Sequence, residues 1–143
     1  MKETIRRFSP EAEFATAENC FISELSNRPD DPEVSIARVR VAPKVVTRWH
    51  RLAGIAERYI ILTGKGCVEI GDLRPQEVGP GDVVLIPPSC RQRIANPGPA
   101  ELIFLAVCTP RFRPEAYEDI DNDPGGMPGR HGPHPWPEKE EKG

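Results

Sequence analysis

No Lys/Arg block interrupts these 143 residues, and the formal net charge is −3. The electrostatic footprint of a nucleic-acid binder or of an anionic membrane surface is therefore missing, and small molecules are the expected partners. No apolar stretch approaches a membrane span. The N-terminal Arg6-Arg7 has no apolar segment behind it, so the start does not read as a secretory signal. The four cysteines, Cys20, Cys67, Cys90 and Cys108, form no CxxC pair or disulfide framework, and reduced thiols in a cytoplasm are expected. There is no Gly-rich phosphate loop ahead of a helix, no dinucleotide fingerprint and no Ser-His-Asp set of familiar order. The length suits one compact domain.

What the chain has in quantity is proline and glycine, 17 and 12 copies, which cut it into segments of strand length. Val34–Val41 is β-branched and stops at Ala42-Pro43, and Val45–His50 is read as the next strand. Arg58–Thr63 meets Gly64-Lys65-Gly66 and returns as Cys67–Ile70, a hairpin whose glycines permit the tight turn. Val83–Ile86 follows Gly81-Asp82 and ends at Pro87-Pro88, after which Cys90–Asn96 leads to another Pro/Gly turn. Glu101–Cys108 is almost continuously apolar, as a strand buried on both faces would be. With weaker strands near Phe14 and Phe21-Ile22, eight to ten strands are expected, in an all-β sandwich or closed double-sheet barrel. The domain is taken as residues 1–112. Beyond it, residues 113–120 are compatible with a helical turn or two, and the rest, with His131, His134 and Trp136, reads as an extended Pro/Gly-rich tail over residues 113–143.

Two spaced sets of residues carry a family resemblance, over roughly Val34–Arg111. Lys44, His50, Leu52, Glu57 and Gly64 fall on a G-x5-H-x-H-x3-4-E-x6-G pattern; Gly81, Pro87, Ser89, Gln92 and Asn96 fall on G-x5-P-x-G-x2-H-x3-N. These resemble the two motifs of the cupins. The resemblance implies a double-stranded β-helix (jelly-roll) barrel and a divalent metal held by the motif histidines and glutamate. Here Leu52 and Gln92 replace two of the imidazoles, leaving His50, Glu57 and Gln92 as the implied metal ligands. Such a set, with open positions, suits Fe, Mn, Ni or Zn as a catalytic centre. In a second alignment His50 fills the second His position and Arg48 the first.

Side chains two apart share a strand face, which groups Glu57 with Tyr59 and Ile61, Gln92 with Cys90 and Ile94, and His50 with Arg48 and Leu52. Glu57 and Tyr59 are then candidates for proton transfer, and Arg48 for pairing with a substrate carboxylate. Blander roles stand beside these: His50 hydrogen-bonded to Glu57 without a metal, Gln92 as a cavity hydrogen-bonder, Tyr59 as core, Arg48 as a solvated rim residue, and Cys90 as an inert thiol.

Three functions are compatible with this reading. The first is a divalent-metal-dependent small-molecule enzyme, of isomerase, lyase, decarboxylase or dioxygenase type, acting on a sugar-derived or carboxylated compound. The second is a ligand-binding cupin that has lost its metal, and the third an interaction protein using the tail. Exposed sheet edges also make a homodimer the expected state, which a monomeric light-scattering profile would contradict.

Overall fold

The structure, a computed structural model, describes residues 1–121. Short β-branched and apolar segments become eleven strands: β1 Phe14–Ala15, β2 Phe21–Ser26, β3 Ser35–Val41, β4 His50–Leu52, β5 Ala56–Thr63, β6 Gly66–Ile70, β7 Gln76–Val78, β8 Val83–Ile86, β9 Gln92–Ala95, β10 Leu102–Thr109 and β11 Tyr117–Asp119. They form two antiparallel sheets, ordered β1-β2-β3-β10-β5-β8 and β11-β4-β9-β6-β7. Phe104, Ile61, Leu102 and Val41 of the first sheet meet Ile94, Val68 and Ile70 of the second in the larger of two apolar clusters, and Leu52, Ile55, Cys108, Phe112 and Tyr117 form the smaller. This is the all-β, two-sheet arrangement expected from the glycine and proline punctuation, and the jelly-roll that the family resemblance implies.

The period of two is clearest on β10, where buried and half-buried residues alternate along the whole strand. Its outer face is thus only partly covered, although the apolar run reads as buried on both faces. The strand expected over Val45–His50 is present only from His50 onward, with Val46 making an isolated bridge to Ala95. The backbone ahead of it is occupied elsewhere: Thr47 N–H donates to the Ile94 carbonyl and Arg48 N–H to the Glu18 carbonyl. The helical reading of residues 113–120 is corrected to one three-residue 3-10 turn, Pro114–Ala116, followed by β11. β4 pairs with β9 through His50 and Gln92 alone, and β11 supplies the rest of its ladder in the register Tyr117↔Leu52 and Asp119↔His50. β7 is short and exposed, and its Gln-Glu-Val sequence carries no apolar alternation to mark it. The tail histidines and Trp136 lie outside the described residues.

The motif positions that shape the backbone have separate physical reasons. At Gly64 φ is +81°, and a Cβ there would stand 2.4 Å from the Glu101 carbonyl oxygen, so only glycine fits. Lys44 and Ser89, which stand where the motifs carry glycine, keep left-handed φ values of 66° and 62°. The side chain changed and the turn did not. Asn96 is buried and clamps the β9–β10 connection, donating to the carbonyls of Val41 (3.0 Å) and Ala100 (2.8 Å) and accepting from Gly98 N–H at 3.1 Å.

Candidate functional site

One cavity opens inside the barrel, with about 50 Å³ accessible to the centre of a water molecule. Ile22, Val39, Ile94 and Phe104 form apolar wall, while Glu18, His50, Glu57, Tyr59 and Tyr117 bring the polar groups. His50, Glu18 and Glu57 are 3%, 6% and 8% exposed, so water cannot screen them from one another.

His50 begins β4 and is fixed on three sides. Its Nδ1 lies 2.7 Å from the Arg48 carbonyl oxygen, its ring stacks on Tyr117 at 5.2 Å with 19° between planes, and its Nε2 stands 3.2 Å from Glu18 Oε1. A carbonyl only accepts, so Nδ1 carries a hydrogen and Nε2 of the neutral ring is a lone-pair acceptor. Two acceptors at that distance require a proton between them. Burial lowers the His50 pKa, against the opposing pull of the Arg48 carbonyl, Glu57 and Asp119. Burial, with Asp119 adding to it, raises Glu18 to about 8. The shared proton therefore belongs to Glu18 at neutral pH, and the pair is an acid leaning on a neutral imidazole.

Glu18 is the residue that sequence reasoning misses. It sits in a tight turn where Thr16 N–H donates to the Cys20 carbonyl at 2.9 Å, Glu18 N–H donates to Thr16 Oγ1 at 3.2 Å, and Asn19 adopts a φ of 72°. Asn19 Nδ2 holds the Val46 carbonyl at 3.3 Å, and Arg48 N–H holds the Glu18 carbonyl at 3.2 Å. These bonds tie the turn to the chain entering β4 and bring Glu18 to His50. The sequence carries one faint signal, a Thr-x-x-Asn turn interrupted by a single acid just ahead of an apolar strand.

Glu57 projects inward from β5. Its Oε2 accepts from Cys108 Sγ at 3.7 Å, whereas Oε1 is buried with no hydrogen-bond partner. Burial raises this carboxyl to about 7; His50 opposes the shift, Glu18 adds to it, and Gln92 and Cys108 oppose it. Gln92 exerts its pull from outside strict hydrogen-bond geometry, since its Nε2 is also without a partner. Gln92 lies across from His50 in the β4–β9 register, and its Oε1 accepts from the Tyr59 hydroxyl. Tyr59 lines the cavity, but its proton is committed to Gln92, and burial pushes its pKa well above the ordinary phenol value. Arg48 lies outside the cavity wall, 2.6 Å from Asp119 and 3.7 Å from Asp121. Leu52, by contrast, lines the cavity together with His50. All four cysteines are free thiols, and burial raises the Cys90 pKa, which fits its reading as inert.

Cupins commonly bind a metal, and the side chains present bear on whether this one can. Leu52 offers no donor, Gln92 Oε1 is occupied by Tyr59, and His50 Nε2 faces Glu18. Among the described residues no three His, Cys, Asp or Glu side chains come together as a metal-holding group. His50, Glu57 and Gln92 are drawn to one region, but this donor set does not fit a resident transition metal. The arrangement is instead two buried carboxyls flanking an oriented imidazole, a set able to move protons without further help.

Comparison with known proteins agrees with the barrel. The cupin domain family matches residues 37–108, half of the chain. No curated protein matches it. Among solved structures, a Cupin 2 conserved barrel domain protein from Salinispora arenicola is 24% identical, with a TM-score of 0.65 over 76% of this chain and 90% of its own. A Streptomyces nucleoside dehydratase, solved as a variant with uridine, is 15% identical, with a TM-score of 0.68 over 83% and 93%. A predicted oxalate decarboxylase from Thermotoga maritima is 25% identical, with a TM-score of 0.58 over 63% and 79%. With both motif frames in register, the two-sheet barrel closed around them and half its length matched, the chain belongs to the cupin family.

Proposed function

We propose that this cupin is a small-molecule enzyme of the isomerase or lyase type that works by general acid–base proton transfer inside its barrel. The observation that carries the reading is the buried His50–Glu18 contact at 3.2 Å beside a second buried carboxyl with a free oxygen. Isomerisation and elimination both need a base that removes a C–H proton and an acid that protonates an oxygen. A carboxyl with a free oxygen and a second one whose proton is held against a neighbouring imidazole divide that work. Glu57, with a pKa near 7 and an unengaged Oε1, is the base. The Glu18–His50 pair is the acid: Glu18 holds the proton and gives it to the substrate oxygen, and His50 Nε2, 3.2 Å from the same carboxyl, orients it. Tyr59 orients Gln92 beside this set, and apolar side chains make up much of the wall. A nucleoside dehydratase on the same fold shows that such a barrel accommodates an elimination.

The test is hydrogen exchange in D2O over a panel of small carbonyl and polyhydroxy compounds, followed by proton NMR with the full-length protein. The wild type is expected to exchange or eliminate a C–H proton, with and without EDTA. Glu57→Gln is expected to be slower by about a hundredfold or more, the usual range for loss of a general base. A rate abolished by chelation and restored by Fe(II), Mn(II), Ni(II) or Zn(II) would restore the metal-dependent reading. The presence of Leu52 in the wall favours a second reading, a binding module, which predicts saturable binding with no exchange.

A further inference from the structure

The walls of the cavity also select by charge. Among the described residues that line it are three carboxyl side chains, Glu18, Glu24 and Glu57, one imidazole, and neither lysine nor arginine. The guanidinium groups around the barrel are engaged elsewhere: Arg48 with Asp119 at 2.6 Å, Arg58 with Thr109 Oγ1 at 2.7 Å, and Arg38 with Glu13 at 3.4 Å. Arg111 reaches only the wall residue Asn27, donating to its Oδ1 at 2.9 Å from outside the lining. A carboxylate or phosphate entering this space loses its water and meets no positive partner, a large uncompensated cost.

A cation is matched no better. Glu18 Oε1 faces His50, and Glu57 Oε2 accepts from Cys108; of the fully buried carboxyl oxygens at this end of the pocket, Glu57 Oε1 is the one without a partner. An ammonium brings three N–H donors and needs an acceptor for each once it is dry. A single hydroxyl or amide N–H is satisfied by one.

Taken with the acid–base reading on which it rests, this leads us to infer that the substrate is an uncharged compound presenting one hydrogen-bond donor to Glu57 Oε1. The free space agrees with a small reacting portion: at about 10–15 Å³ for each water, 50 Å³ holds only a few water-sized groups. An uncharged substrate differs from the carboxylated one that pairing with Arg48 implies, and Arg48 is engaged by Asp119.

Three compounds of nearly equal size and one shared hydroxyl separate the cases: lactamide, lactate and the ammonium form of 1-amino-2-propanol. Each is titrated into the full-length protein at pH 7, and binding is followed through the His50 ring resonances, which localise it to the cavity. Lactamide is expected to shift them saturably and lactate to bind about a hundredfold more weakly, the order an unpaired buried charge imposes. Lactate binding as tightly as lactamide, or the ammonium compound binding more tightly, overturns the inference while leaving acid–base chemistry intact. No shift with any of the three overturns both, because the proposed reaction requires a ligand to reach His50. An absence of proton exchange in D2O with lactamide still preferred over lactate would sink the reaction and keep the charge selection.

Discussion

Replacing Glu18 by Gln tests where the proton of the His50–Glu18 contact resides. If Glu18 is the protonated partner, the amide N–H of a glutamine can donate to His50 Nε2 in its place, and the contact survives. The carboxyl's cost disappears. Glu18 is carried from an ordinary 4.5 to about 8, so the folded protein holds a proton that the unfolded chain releases between those values. Stability due to this group is present in full below pH 4.5 and is lost as pH rises toward 8. At about 1.4 kcal/mol per pH unit the loss is roughly 3 kcal/mol at pH 7. Glu18→Gln should therefore match the wild type within about 1 kcal/mol at pH 5 and exceed it by roughly 3 kcal/mol at pH 7. Urea denaturation at pH 5, 6, 7 and 8 reads this directly, with unchanged m-values showing that the same transition is followed. The opposite arrangement, ionised Glu18 against imidazolium, predicts a variant destabilised by about 3–5 kcal/mol at pH 7, since one charge would be left buried and unpaired. That result would refute the reasoning.

Other outcomes follow from the same structure. Lys44→Gly should stabilise the protein by about 1 kcal/mol, because glycine adopts the left-handed conformation without the penalty of a side chain; thermal unfolding checks it, and a lower Tm would mean that the Lys44 Nζ bond to the Pro97 carbonyl at 2.6 Å outweighs the strain. Asn96→Ala removes two donated bonds and one accepted bond from a buried site and should cost about 3 kcal/mol in a denaturant titration. Protein purified without chelator should contain well below stoichiometric transition metal by elemental analysis, and a full equivalent that His50→Ala loses would contradict the donor-set reading.

The barrel is legible in the sequence because its turns are enforced by local backbone geometry. Gly64 has no tolerance for a Cβ, Asn96 bonds to Gly98 and Ala100 within its own connection as well as to Val41, and the β-branched segments between such points have few alternatives. Even the departures at Lys44 and Ser89 leave the turns in place. Inward phase on β5 and β9 is equally local, so Glu57, Tyr59 and Gln92 are found on the buried faces that alternation assigns. Glu18 is different in kind: it lies 32 positions before His50 and is delivered by a turn whose anchoring bonds run to Val46 and Arg48. No periodicity encodes that. Tyr117 is hidden for a related reason, since a strand begun by Pro114-Glu115-Ala116 looks helical until the unpaired edge of β4 is known. Arg48 shares sequence phase with His50, but the backbone before β4 is not strand, so the phase does not carry over to its side chain.

His50 is a neutral, oriented imidazole beside a protonated acid. Nitrogen-15 NMR of the full-length protein at pH 7 measures it most directly. The expected spectrum has a proton on Nδ1 and an unprotonated Nε2 that accepts a hydrogen bond, with this tautomer persisting as the pH is taken below 6.5, the ordinary histidine value from which burial displaces it downward. An imidazolium with both nitrogens protonated at pH 7 would contradict it.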